Sequence, residues 1–103
     1  MAAYFFESSG IAKRYINETG TSWVISVTDP TTSHLIYVVR ITGVEVVSAI
    51  TRQKRSGNLS TSVATNAIAQ FRHDFSNQYR IVEVTSALVT HAMTLAETYA
   101  LRG

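Results

Sequence analysis

The chain has 103 residues, of which 46% are hydrophobic and 16% charged, and its formal net charge is +2. This length predicts a single domain, residues 1–103, built around one core. The charge lies far from the strong basic surplus of a dedicated nucleic-acid binder, so charge alone does not define the partner. Since the sequence contains no cysteine, disulfides, thiolate nucleophiles and cysteine-based zinc sites are excluded.

The sequence also indicates a compartment. No stretch approaches the roughly 20 consecutive apolar residues of a membrane-spanning helix. The N-terminal segment meets the acidic Glu7 too early for a secretory signal peptide. Together with the absence of cysteine, these features predict a cytoplasmic protein with no membrane partner. The high apolar content beside so little charge indicates a surface buried against another chain.

The first half of the chain contains two apolar runs and two segments between them. Residues 4–6 predict a strand, and Ser8 and Ser9 follow as candidate N-caps of a helix. In residues 21–28 apolar side chains alternate, which by periodicity alone favours a strand. A turn then precedes residues 35–39, an apolar and partly β-branched run that predicts the second strand.

Helical spacing dominates the second half. Residues 42–56 place apolar side chains on one side and basic ones in the last turn, with Gly57 just beyond, which predicts a helix. Ser60 is a candidate N-cap of a longer helix, residues 79–84 predict a third strand, and Ser86 is a candidate cap of the last helix. Because strands that alternate with helices need crossover connections, we predict an α/β fold, a parallel sheet with helices on both faces.

Two glutamates are candidates for chemistry, because open α/β sheets bind ligands beyond the carboxyl ends of their strands. Glu7 follows the first predicted strand and Glu45 lies in the first turn after the second, so both are expected near one sheet edge. Glu7 could instead serve a helix dipole, and Thr42 with Glu45 has the T-x-x-E pattern of a capping box. Carboxylates without cysteine or paired histidines suit Mg²⁺ or Mn²⁺ at a phosphoryl-transfer site. The residues alone leave open whether these glutamates stabilise helix ends or bind a metal.

Two short motifs match those of a known family. Residues 7–15 read Glu-x-Ser-x-x-x-Lys-Arg-Tyr after a strand, and Thr42 opens a Thr-x-x-Glu element at a helix start. With residues 79–103, these segments resemble the PIN domain family, in particular bacterial VapC-like toxins. The family's opening motif has Asp at its first position, so only Glu7 departs from it. The resemblance extends over the whole chain and is specific in its first two segments.

The resemblance implies a PIN-like fold and a metal-dependent endoribonuclease of the toxin–antitoxin type, which cleaves RNA and binds a cognate antitoxin. It implies that Glu7 and Glu45 hold Mg²⁺ or Mn²⁺ and that Ser9 supports them in the catalytic site. It also implies a helix over residues 21–28, and this is the expectation that we adopt there. The implied contacts to RNA phosphates are Lys13, Arg14 and Arg52.

A further expectation concerns the C-terminal end. The family's next acidic motif, a Tyr-Asp-Ala type helix start, is expected directly after residues 101–103, where the sequence stops. We therefore expect a PIN-like fold lacking its C-terminal elements, with nuclease activity weakened or absent. The missing segment would supply the strand beside residues 4–6, and because bare apolar edges promote association, we expect a homo-oligomer. The alternative is a non-catalytic interaction module that binds an antitoxin or a homologue without cleaving RNA.

Overall fold

Three parallel strands form one sheet in the order β1-β2-β3 in this structure, a computed structural model that describes residues 1–99. The strands are β1 (Ala3–Phe5), β2 (Leu35–Val39) and β3 (Arg80–Val82). The central strand β2 pairs Ile36 with Tyr4 on one side and Val38 with Ile81 on the other. The predicted α/β class with a parallel sheet is confirmed, although β1 and β3 differ by one or two residues from their predicted bounds.

Helices connect these strands. The described helices are α1 (Ser8–Ala12), α2 (Thr21–Thr28), α3 (Thr42–Arg55), α4 (Thr61–Asn77) and α5 (Ser86–Tyr99), with a 3-10 turn at Pro30–Thr32. Both crossovers run in the same direction across the sheet, so their shared handedness places α1 to α4 on one face. Within residues 1–99, no helix has the length and apolar character needed to cross a membrane.

The core lies between this face of the sheet and the helices α1 to α4. On β2 the buried residues alternate with half-buried ones, as one face of a strand requires. The side chains of Ile36, Val38, Val46, Ile50 and Phe71 are almost completely buried. Removing such apolar surface from water is the main stabilising contribution to a fold of this size.

The opposite face of the sheet is covered more loosely, by α5. Leu88 and Ala92 of α5 line a cavity of about 530 Å³ together with Phe5 and Val39 of the sheet. Phe5 remains 59% exposed and Leu88 42% exposed. Helices therefore lie on both faces, as predicted, but only α1 to α4 pack closely.

The start of α1 differs from its prediction. The helix begins at Ser8, its N-cap residue is Glu7, and no side-chain hydrogen bond caps it. The carbonyl oxygen of Glu7 accepts the amide of Ile11 at 3.0 Å, so the first helical turn already includes both serines. The prediction that Ser8 or Ser9 caps this helix is therefore wrong.

The caps of the later helices agree in one case and differ in the other. Ser60 caps α4 as predicted, since its Oγ accepts the amide of Val63 at 3.2 Å. At α5 the cap is Thr85, whose Oγ1 accepts the amide of Leu88 at 3.1 Å, while Ser86 is already helical. The C-terminal end, where we expect the acidic motif to be missing, lies outside the described residues.

Residues 21–28 form the helix α2, as the family resemblance implied and against the strand that periodicity favoured. Val24, Val27 and Thr28 are buried at the spacing of one helix face. Thr28 Oγ1 donates to the carbonyl of Val24 at 2.7 Å. Trp23 and Ile25 lie on the exposed side, and these outward apolar residues produce the alternation that imitates a strand.

Candidate functional site

A cavity of about 420 Å³ lies between α1 and α3. It starts beside the carboxyl ends of β1 and β2, where both helices begin, and continues along α3 to its last turn. Glu45, Ser48 and Arg52 line it at spacings of three and four residues, so they occupy one face of α3. Ser8 and Ser9 line the opposite wall. The cavity therefore lies at the edge where α/β sheets bind ligands.

Several residues predicted from separate motifs meet at this cavity. Ser9 from the first motif, Glu45 from the second and Arg52 from the end of α3 all line it. Glu7 is the residue before the lining pair Ser8 and Ser9, and it is exposed. The folded chain thus brings Ser9, Glu45 and Arg52 together, with Glu7 beside them.

The capping-box interpretation of Glu45 is not realised in the structure. The N-cap residue of α3 is Ile41, Thr42 is already helical, and no side-chain hydrogen bond caps the helix. Thr42 Oγ1 is buried without a hydrogen-bond partner among residues 1–99. Glu45 itself is exposed and lines the cavity, so its carboxylate remains accessible to a ligand.

A second carboxylate lines the cavity, and sequence reasoning missed it. Glu18 lies in the loop after α1, and its Oε2 is 3.2 Å from the Nζ of Lys13. Both side chains are partly exposed, so the ion pair contributes little to stability. No sequence motif marks Glu18, because the path of the loop alone brings it to the cavity. Lys13, a predicted RNA contact, is not a lining residue and already has an acidic partner.

Arg14, another predicted RNA contact, points into the protein. Its Nη1 lies 3.3 Å from Asp74 Oδ2 and donates to Gln78 Oε1 at 2.8 Å and to Tyr79 Oη at 2.9 Å. Its side chain is 15% exposed. Arg14 therefore joins the end of α1 to the end of α4. Its contact with RNA stays a prediction, and these internal partners already occupy its guanidinium.

The acidic partner in this group is Asp74, which is buried on α4. Its Oδ2 accepts from Tyr15 Oη at 2.6 Å and its Oδ1 from Gln70 Nε2 at 2.9 Å. Burial, together with the adjacent Tyr79 and Asp74, raises the pKa of Tyr15 well above its usual value. The phenol is thus a neutral donor at physiological pH. Asp74 consequently has a structural role, which no local sequence signal reveals.

The implied metal can be compared with the donors present. Within residues 1–99, no group of three or more His, Asp or Glu side chains could hold a metal ion. Glu45 and Glu7 supply two carboxylates at the same sheet edge. Mg²⁺ is often held by one or two protein carboxylates plus waters and substrate phosphates. Each glutamate is thus a donor of the type that a hard cation prefers, with waters and a bound phosphate to complete its coordination.

Comparison with known proteins adds no family assignment. No protein-family model matches the chain, and no curated protein matches it significantly. An α/β fold hosts many unrelated activities, so fold class does not define the function either.

Proposed function

We propose that the chain is a PIN-type domain of a metal-dependent endoribonuclease of the toxin–antitoxin type, and that the cavity between α1 and α3 binds the RNA phosphodiester. One observation carries the proposal: Ser9 on α1 lines the same cavity as Glu45 and Arg52 on α3, and Glu7 adjoins it. This convergence supports a shared site. The proposal implies a cytoplasmic location and a cognate antitoxin as the partner.

Each residue has a distinct task in the proposed site. The guanidinium of Arg52 binds phosphate oxygens, for which its planar donors are suited. The hydroxyl of Ser9 donates a hydrogen bond to the substrate or orients a carboxylate. Glu7 and Glu45 hold Mg²⁺ or Mn²⁺. When bound, such an ion activates water and neutralises the charge that develops on the phosphodiester.

The test is cleavage of a fluorescently labelled single-stranded RNA by the purified chain. We expect slow cleavage with Mn²⁺ that stops when EDTA is added and returns with excess Mn²⁺. Titration calorimetry with Mn²⁺ measures metal binding independently of activity. Absence of both cleavage and Mn²⁺ binding would overturn the nuclease proposal. RNA binding without cleavage would also overturn it and would favour the interaction module.

Glu7→Asp is expected to raise the cleavage rate about tenfold, because shortening the side chain changes the position of a carboxylate where about 1 Å can matter a hundredfold. A faster rate is expected because the family that the opening motif resembles has Asp at the position of Glu7. Glu97→Asp on α5 is the matched control, since Glu97 is exposed and does not line the cavity. Initial rates at saturating Mn²⁺ measure the change. A rate that stays constant or falls for Glu7→Asp would contradict this role.

The free edge of β1 supports the proposal of a homo-oligomer. Among the described residues, β1 pairs only with β2. Phe5 on this strand is 59% exposed, and Met93 on α5 is 60% exposed. Such apolar edges and faces favour association. We expect a dimer or larger species in light scattering at micromolar concentration, and a monodisperse monomer would contradict this. The same surface supports the second candidate function, an interaction module without catalysis.

A further inference from the structure

A second cavity, of about 470 Å³, lies on the other side of α3, between α3 and α4. Val44 and Ser48 line both cavities, so a single ridge of α3 separates the second cavity from the proposed RNA site. Val44 is 63% exposed at the crest of this ridge. A strand of RNA that binds in the first cavity can therefore continue over Val44 into the second.

The wall of the second cavity offers an aromatic surface. Phe75 lines it and is half-buried, with its ring centroid 5.6 Å from that of Phe71 below it. A Cβ built on Gly43 would lie 3.1 Å from the Cζ of Phe75. Because Gly43 has no side chain, the ring can lie this close to α3 while it lines the cavity. Unpaired nucleobases stack on accessible aromatic rings.

The charges of the second cavity favour an anion. Arg40 and Arg72 line it, and no carboxylate does. Arg40 donates its Nε to Glu83 Oε1 at 2.6 Å and is thereby neutralised. Arg72 is exposed and makes no hydrogen bond or ion pair among residues 1–99. An incoming phosphate would therefore meet the uncompensated guanidinium of Arg72.

We propose that the cavity between α3 and α4 is a subsite for a nucleotide flanking the cleaved phosphodiester, with its base against Phe75 and its phosphate on Arg72. The inference rests on the proposed function, which supplies the RNA. The apolar surface matches the base of a nucleotide, and the uncompensated positive charge beside it matches the phosphate. The volume suits one such unit, whereas a bound helix would need a longer groove.

The test is fluorescence anisotropy with a labelled eight-nucleotide oligoadenylate in EDTA, so that binding is measured without cleavage. We expect Arg72→Gln and Phe75→Leu each to weaken binding about five- to tenfold, in line with the loss of one phosphate contact or one stacked base. Phe75→Tyr keeps the aromatic ring and should bind as the unchanged chain does. Arg55→Gln is the matched control, because Arg55 is exposed and lines neither cavity. Thermal unfolding verifies that each variant is folded.

The outcomes separate this subsite from the function on which it rests. If the unchanged chain neither binds nor cleaves RNA, the proposed function fails and the subsite with it. If the chain cleaves RNA but both variants bind oligoadenylate like Arg55→Gln, only the subsite is overturned. If the variants keep their RNA affinity and lose self-association in light scattering, the cavity belongs to a contact between copies of the chain, and the subsite is likewise overturned.

Discussion

Asp74→Ala is expected to lower the free energy of unfolding by about 3–5 kcal/mol, because it removes one partner of a buried ion pair and leaves the other uncompensated. Asp74 is 5% exposed. Without its carboxylate, the guanidinium of Arg14 and the hydroxyl of Tyr15 lose the acceptor that they now share at 3.3 Å and 2.6 Å. Domains of this size are stable by roughly 5–15 kcal/mol. The variant should therefore unfold at a much lower urea concentration.

Urea denaturation followed by circular dichroism measures this loss. Asp29→Ala is the matched control, since Asp29 is exposed and its carboxylate accepts from neighbouring Thr31, so a far smaller loss is expected. The double variant Arg14→Met with Asp74→Leu removes both charges and should retain more stability than Asp74→Ala alone. Equal losses at positions 74 and 29, or a double variant that is no more stable than Asp74→Ala, would argue against the buried pair.

Glu45→Gln is expected to slow Mn²⁺-dependent RNA cleavage at least about a hundredfold, since it replaces a charged oxygen ligand in the proposed site by a neutral amide. The free energy of unfolding should change by less than about 0.5 kcal/mol, as for other exposed residues. This separation follows from the structure, in which Glu45 is exposed, lines the cavity and does not cap α3. Initial cleavage rates and urea denaturation provide the two measurements.

Glu97→Gln on α5 makes the same chemical change at an exposed position away from the cavity, and it should alter neither quantity. Mn²⁺ titration of both variants adds a reading that does not depend on catalysis, with weaker binding expected for Glu45→Gln alone. If Glu45→Gln lowers stability and leaves the cleavage rate unchanged, Glu45 has a structural role and the proposed site is wrong.

Asp74 and Glu45 illustrate the limits of local patterns. Both lie on helices, and the Thr-x-x-Glu pattern offers a structural interpretation of Glu45. In the structure it is Asp74 that is buried beside Arg14 and Tyr15, while Glu45 is exposed at a cavity. A helical period tells which residues share a face, but it does not tell which faces the neighbouring elements cover.

Local patterns in the amino-acid sequence were enough to define the α/β class, the bounds of β2, the start of α3 and the Ser60 cap of α4. These features depend on interactions within about four residues, such as side-chain periodicity and capping hydrogen bonds, so a local sequence pattern is sufficient to predict them. The same patterns selected Glu45, and the family resemblance added Arg52, which lines the same cavity. Both residues lie on α3, which follows the well-predicted strand β2.

Features that join distant segments depend instead on the packing of the whole chain. Arg14 and Asp74 are 60 positions apart and Glu18 reaches the cavity through a loop. α2 is a helix because its buried face packs against the core, although its apolar residues alternate. Packing between elements sets the partner, the burial and the free surface of each side chain, and these relations have no counterpart in a local pattern. The two cavities beside α3 are of this kind, since they exist only where α1 and α4 dock against it.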